Sequence, residues 1–597
     1  MSRSGPTLHL LPLLASLALG ACSSGVGNSA PRFQEIPKQT VGSGATLTMD
    51  LAGYVVDREG QTLSWSVVSG GGSFAGSTYS NTFATLGTYT VQVQATDAMG
   101  KSSVAPITVK VGAANLAALQ ADSGLKLMDT DTLTVLPVAS SGFAETFRAA
   151  LPCGQLVYER NIGGQYDLYV YDPNTRTTTR LGDSDSADER YAAATSDGKV
   201  VFTSGTASDT DLFVFNPATS FTRTISNGLG QHDRNAIVNA TDLVFYERGV
   251  AGQSDIYYYD PGEDESYPVA TAATAETLRG ALPNGAVVLS RIGAGGEQDL
   301  YCFRVATGLA EIGADLSATV QAQTKTYAAH TSDSMVVFEV TAAASIDLYM
   351  WNPATGQSRA LATSASDERW VAVTAGNGVV YKIVISAGND DLALYTWAGN
   401  ASATIANSAD DEEYQGSTSA GDVVYSVDTG AGGVDLHFYD VSVPASAAIA
   451  TAGSDDYLFH AVLPNDKVVY GVGGATPAVS LYTPGGASAT VASGNGAAFA
   501  GASLGGDFCY TQTASSQTDL YLWDESASAT VPISTTAGND AFLAGLSGGA
   551  RVLFTRVPAG QGNAEVFVWT AAGSTETRAT NSTNGHTLVT VYTANCP

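Results

Sequence analysis

From about Asn115 onward the chain is one pattern written eleven times. The clearest copies are DLYVYDP from Asp167, DLFVFNP from Asp211, DIYYYDP from Asp255, DLYMWNP from Asp347 and DLYLWD from Asp519. Weaker copies begin near Gly124, Asp299, Ala393, Asp435, Ser480 and Glu565. Successive starts lie 43, 44, 44, 44, 48, 46, 42, 45, 39 and 46 residues apart. A period in the forties made of short strands is the signature of β-propeller blades. It constrains the fold to a ring of like sheets and leaves the activity to the loops and the channel.

Within one unit, YAAATSDG (Tyr191 to Gly198) reads as an inner strand and its turn. KVVFTS (Lys199 to Ser204) is a second strand, DLFVFN a third and FTRTIS (Phe221 to Ser226) an outer strand. The corresponding second strands, such as DLVFYER, MVVFEV and RVLFTR, are apolar on both faces. A strand packed between two neighbouring sheets requires that. In strand pattern and in the SDGKVVF turn the repeat resembles the WD40-like blades of TolB-type proteins. The resemblance implies an architecture rather than an activity. The class is all-β, with about eleven four-stranded blades. One ring or two smaller rings would accommodate them, since eleven exceeds the usual four to eight. The repeat begins on a second-type strand, NLAALQA from Asn115, and ends on an inner-type strand, HTLVTVYT from His586. Pairing these two would complete a blade and close a ring. Cys153 and Cys596 would then occupy equivalent turns and could form a disulfide latch, provided their Cα atoms lie within about 7 Å.

The N-terminus reads as an export signal over residues 1–21, with Arg3 ahead of the apolar run from Leu8 to Ala21. Its end, Leu19-Gly20-Ala21-Cys22, resembles the lipobox of bacterial lipoproteins. That resemblance implies cleavage before Cys22, acylation there and membrane attachment through lipid alone. The alternative is an ordinary signal peptide with an incidental cysteine. Ser23 after the cysteine favours the outer membrane, on its periplasmic or surface side. No later stretch reaches 18 apolar residues, so no membrane-spanning helix is expected.

Residues 22–30 form a tether and 31–112 a small β-sandwich, read from alternating runs such as QTLSWSVV and GTYTVQVQATD. The repeat region is 113–597. The segment from PRFQEIPKQT to GTYTVQVQATDAMG resembles cadherin-like and immunoglobulin-like modules of bacterial surface proteins. Some relatives of that kind hold calcium through acidic motifs, which the resemblance carries to Asp57, Glu59 and Asp97. Three acids fall short of calcium's six to eight oxygens. Asp57 and Asp97 also read as turn stabilisers ahead of Gly60 and Gly100. No other cofactor is indicated.

Charge is unevenly shared. The chain carries −30; residues 31–112 sum to zero and Arg3 adds +1, which leaves −31 on the repeats. Such a surface repels phosphate backbones and disfavours nucleic acid as a partner. Two recurrent acidic positions stand out. The aspartate opening the third strand (Asp167, Asp211, Asp255, Asp299, Asp347, Asp435, Asp519) reads either as a ring of ligands or as an acceptor for N–H groups of the preceding turn. The second position precedes the inner strand: Glu145, Asp188, Asp233, Glu276, Asp367, Asp411, Asp455 and Asp540. These would form an acidic rim at one channel mouth, attracting cations or a basic partner, or pair locally with arginines such as Arg148, Arg190 and Arg234. Cys302 and Cys509 lie in apolar strands as small hydrophobes, and His437 reads as packed.

No HxH, HExxH, CxxC or phosphate-loop pattern occurs, and there is no GxSxG nucleophile elbow: the two GxSxG runs, Gly501 to Gly505 and Gly545 to Gly549, fall within the strand repeats and not ahead of a helical pattern. The expectation from sequence is therefore a non-catalytic envelope lipoprotein that binds or scaffolds a protein or glycan through propeller loops. A calcium-dependent adhesin and a polysaccharide-processing enzyme are the alternatives.

Overall fold

A computed structural model describes residues 28–592 apart from short internal stretches. The described residues form two compact units that divide near Lys110.

In the first unit, Gln39–Gly42, Ser64–Ser69, Gly87–Thr96 and Ser102–Gly112 make one sheet. Thr46–Asp50, Ser73–Ala75 and Thr78–Thr82 make another. Period-two alternation explains the core: Val91, Val93 and Ala95 on one strand and Ile107 and Val109 on its neighbour are fully buried.

The second unit contains eleven four-stranded antiparallel blades among the described residues. Blade one takes Leu116–Ala121, Gly124–Asp129 and Val135–Ala139 from the start of the repeats and His586–Tyr592 from their end. Leu116 pairs with Tyr592 and Ala121 with His586, so the late strand is the inner strand of the first blade. The remaining blades run inner to outer in chain order. Their inner strands are Ala144–Ala150, Asp188–Ala194, His232–Val238, Glu276–Ala281, Thr324–His330, Asp367–Val373, Asp411–Ser417, Tyr457–Val462, Ala498–Ala502 and Gly538–Leu546, for blades two to eleven.

Every adjacent pair of blades shares an apolar cluster, including blade eleven with blade one. At that last seam Ala117, Leu119 and Met128 pack on Leu546, Leu553, Val566 and Val568. The ring is therefore single and closed. The first half of the second strand, as in blades two, four and five, is apolar on both faces because alternate residues face opposite neighbours. Val287 and Leu289 of blade five pack toward blade four, and Val288 packs toward blade six. Each such residue, fully buried, contributes about 1.5–3 kcal/mol.

Two repeat starts shift once pairing is known. Ile383 pairs with Asp391, as Val340 pairs with Asp347, so the blade-seven copy begins at Asp391 and not near Ala393. Val472 pairs with Ala478, which moves the blade-nine copy from Ser480 to Ala478. The long 48-residue step from Asp299 to Asp347 holds the short helix Ala318–Gln321. On the turn side, blades are stapled to one another. Ser196 donates through N and Oγ to Asp242, Ser332 to Asn377 and Ser419 to Asp466, at 2.6–2.9 Å.

Candidate functional site

The eight acids expected at a rim occupy two adjacent positions with different roles. Glu145, Asp233, Glu276 and Asp540 sit at a buried position facing the second strand of their own blade. Each is paired there: Glu145 with Arg160 at 3.2 Å, Asp233 with Arg248 at 3.0 Å, Glu276 with Arg291 at 3.0 Å and Asp540 with Arg556 at 2.8 Å. Asp188, Asp367 and Asp411 lie one residue earlier. They accept the backbone N–H of Tyr166, Ile346 and Asp390 in the preceding blade, at 3.0–3.2 Å. Asp455 lies outside the described residues. The free acidic rim is thus corrected. Four of these buried carboxylates neutralise guanidinium groups, of which Arg556 is buried and the other three half-buried, and three stitch one blade to the next.

The buried position in blades three, seven and eight belongs to Glu189, Glu368 and Glu412, all 0% exposed. Burial raises all three carboxyls. Glu189 goes to about 7, against the lowering effects of Ser204 and Arg180. Glu368 and Glu412 are also raised by neighbouring aspartates, against hydrogen bonds from Ser364 and Ser408. In blade six the position is Lys325, fully buried, whose Nζ lies 2.5 Å from Asp299 Oδ1. The third-strand aspartates have mixed partners: Asp347 accepts the Ser345 hydroxyl at 3.3 Å and Asp519 the Gln517 side-chain amide at 2.5 Å, both from the residues just before the strand aspartate, whereas two others reach further. Asp299 meets the next blade through Lys325, and Asp167 takes Arg180 at 3.2 Å and the Tyr169 hydroxyl at 3.1 Å.

Two inner-strand features escaped the sequence reading. Two residues beyond the buried position stands an aromatic: Phe147, Tyr191, Tyr327, Trp370, Tyr414, Phe459, Phe499 and Phe542. A bulge follows each one. The ring fits against a small residue of the preceding blade; a Cβ on Gly280 would lie 3.1 Å from the Tyr327 hydroxyl. The recurring acid, aromatic, small spacing was the signal available.

The second feature is an arc of arginines on the channel side of blades two to five: Arg148, Arg190, Arg234 and Arg279. Glu159 takes Arg148 at 2.6 Å and Arg190 at 3.0 Å, and Glu247 takes Arg234 at 3.3 Å. Arg279 is held by neutral partners, Ser290 and Gln298. The four arginines of this arc share two carboxylates as ion-pair partners.

Blade four breaks the ring's symmetry in the middle of this arc. Its aromatic is replaced by Asn235, held at φ 51°, and the pairing skips from Arg234 to Ile237. Asparagine tolerates that left-handed backbone better than an aromatic would. His232 replaces the stitching aspartate. The backbone bridges the blades instead, with Thr210 N donating to Gln231 O at 3.2 Å and Thr210 pairing with His232 in parallel. The result is a cleft of about 530 Å³ lined by Tyr191, Thr203, Thr210, His232, Arg234 and Asn235, among others. Asp233 also borders it, but is buried and engaged by Arg248 and Ser226. His232 Nδ1 lies 3.3 Å from Thr210 Oγ1. Burial raises the Tyr191 phenol above its ordinary range.

The other sequence candidates fall elsewhere. Cys22, Glu59 and Cys596 lie outside the described residues. Asp57 accepts Gln61 N at 2.8 Å, and Asp97 accepts Met99 N and Lys101 N at 2.9 Å, so both serve turns. Burial opposes ionisation of Asp97, but hydrogen bonds from Asn28, Lys101, Met99 and Gly100 hold it below the usual carboxylate range. Cys153 is disulfide-bonded, while Cys302 and Cys509 are buried free thiols. His437 stacks on Tyr425 at 5.2 Å. Among the described residues no three His, Cys, Asp or Glu side chains gather as a metal centre. No helix among them is long and apolar enough to cross a membrane.

No family model and no curated protein matches the chain. Solved structures do. The tricorn protease is 12% identical over 78% of this chain and 58% of its own, with a TM-score of 0.26. TolB from Acinetobacter baumannii is 15% identical over 47% and 78%, with a TM-score of 0.23. The β-propeller domain of the Trilobed protease from Pyrococcus furiosus, described as having an open velcro topology, is 12% identical over 52% and 91%, with a TM-score of 0.25. The chain spans less than two thirds of the tricorn protease. Propeller architecture and a TolB-like ring agree with these neighbours. The expectation of a non-catalytic scaffold, and of a chain that is no enzyme, is corrected by the same finding: two of the three structures are proteases or parts of one.

Proposed function

We propose that the ring acts on an acidic polysaccharide by β-elimination, in the cleft between blades three and four. The observation that carries this reading is the break in the ring at Asn235, which opens the channel wall beside Arg234 and His232. Blade five also lacks the aromatic but keeps an apolar Leu278 there; blade four alone among blades two to eleven puts a polar residue in a left-handed backbone at that position, and such departures fall preferentially at working sites. The arginine arc suits a uronate carboxylate, since guanidinium groups bind carboxylates through paired N–H donors. Neutralising that carboxylate acidifies the carbon-bound proton beside it. His232 would take this proton, and the electron pair would form the new double bond as the glycosidic oxygen leaves. Tyr191, its phenol kept protonated by burial, would supply the proton that the leaving oxygen needs. Hydrolysis by a carboxylate pair is less well served, because Asp233 is already engaged by Arg248 and Ser226.

Lipid attachment at Cys22, with the cadherin-like module as a spacer, would present this ring at the outer membrane of a bacterium. The test is a panel of polyuronates incubated with the purified chain, read by ultraviolet absorbance of the unsaturated product. His232→Ala and Arg234→Ala should each lower turnover at least about 100-fold. Absence of product and of binding across the panel would refute the reading.

A further inference from the structure

At the interface between each blade and the next, an inner-strand residue meets the aspartate that opens the preceding third strand. The repeats serve as one another's control. Where the inner-strand residue is acidic, the protein usually supplies a cation. Blades two, four, five and eleven place Arg160, Arg248, Arg291 and Arg556 on the facing second strand. Blade three borrows Arg180 from the preceding blade; it reaches Asp167 at 3.2 Å and Glu189 at 3.9 Å. Blade six goes further and puts Lys325 itself in the position, on Asp299.

Blades seven and eight lack any such cation. The residues facing Glu368 and Glu412 are Ile383 and Val427. No described ion pair reaches either glutamate. Each uses Oε1 to accept the N–H and hydroxyl of a serine four residues back, Ser364 and Ser408. The second oxygen of each, Oε2, is buried without a hydrogen-bond partner; Glu276 Oε2 and Asp540 Oδ2 share that state, but there the first oxygen holds an arginine, so the missing cation is what sets blades seven and eight apart. Both glutamates are 0% exposed and stand in the fields of Asp347 and Asp391. A dry carboxylate oxygen beside a second carboxylate is costly unless a cation joins them.

We infer that the interfaces of blades six with seven and seven with eight each bind a divalent cation, between Asp347 and Glu368 and between Asp391 and Glu412. The ion takes the place that Lys325 Nζ fills one interface earlier. Carboxylate and hydroxyl oxygens with no nitrogen or sulfur donor favour calcium, its remaining ligands being water.

Calorimetric titration of the chelator-treated full chain with calcium, beside melting curves, tests this. The unaltered chain should bind, and should melt about 2–3 °C higher at a hundredfold excess over Kd. The double variant Glu368→Gln, Glu412→Gln should lose about two equivalents of calcium. Ile383→Arg, which installs the guanidinium found in four other blades, should lose one equivalent and melt higher without calcium than the unaltered chain does. Retention of every calcium equivalent in the double variant would overturn the inference. So would absence of calcium binding together with a double variant that melts higher at neutral pH, which would mean that the pairs share protons instead.

Discussion

Replacing Glu189 by glutamine should make the protein more stable, and more so as pH rises. The carboxyl is 0% exposed, accepts the Ser204 hydroxyl at 3.2 Å and lies 3.9 Å from Arg180. It is packed so tightly that a Cβ on Gly182, itself at φ +81°, would fall 2.7 Å from its Cγ. Burial lifts its pKa from 4.5 to about 7. A carboxyl raised on folding is held protonated in the folded chain while the unfolded chain ionises. Stability therefore falls as pH rises from about 4.5 to about 7, and the cost is complete above that. The shift corresponds to at most about 3 kcal/mol. Glutamine keeps the shape and an acceptor for Ser204 and cannot ionise. Denaturant unfolding of both chains at about pH 5 and about pH 8 should show the variant's advantage growing by about 1–3 kcal/mol across that interval. A difference that does not change with pH would refute the assignment.

Gly501→Ala should cost about 1–3 kcal/mol, because its Cβ would sit 2.5 Å from Phe542 Cδ1 and nearer still to Cε1. Gly416→Ala, at 3.0 Å from Phe459 Cζ, should cost less, and equal denaturation midpoints for the two variants would contradict the aromatic-to-small packing. For Cys153, the expected partner is Cys596. Peptide mapping without reductant should recover the two together, and reduction should lower the melting temperature, the chain-entropy ceiling for so long a loop being about 6 kcal/mol. A free thiol at Cys596 would reject that pairing.

The ring was legible in the sequence because a propeller must repeat: each blade buries the same faces, so the apolar second strands recur with the period. Closure was legible because the chain opens with a strand that lacks an inner neighbour and ends with one that lacks an outer. Register was not. The blade-seven and blade-nine copies are displaced by two residues in the sequence reading, since shifting a strand by two keeps the same side chains on the same face. The same weakness merged Glu145 with Asp188, which sit one residue apart in register and face different partners. The cleft at blade four was invisible for another reason. Its marker is an asparagine where an aromatic belongs, and that reads as noise until the aromatic position is known from pairing. The expected chemistry was misjudged on similar grounds: acids are abundant in the sequence, but burial uses many of them, and the inner strands of blades two to five carry arginines, while blade eight keeps the exposed Glu413.

The pairing of Leu116 with Tyr592 has a consequence for how the molecule comes into being. Ten blades can assemble in the order in which they emerge from the ribosome or a translocation pore, each from contiguous chain. The first blade cannot. Its three early strands wait, with an unsatisfied edge and one apolar face uncovered, until the last strand arrives some 460 residues later, as the register of Ala121 with His586 requires. A nascent ring is thus a split washer for almost its entire synthesis. A chain truncated before His586 would leave the edge of Leu116–Ala121 unpaired, the kind of sheet edge that folding helpers and proteases can recognise.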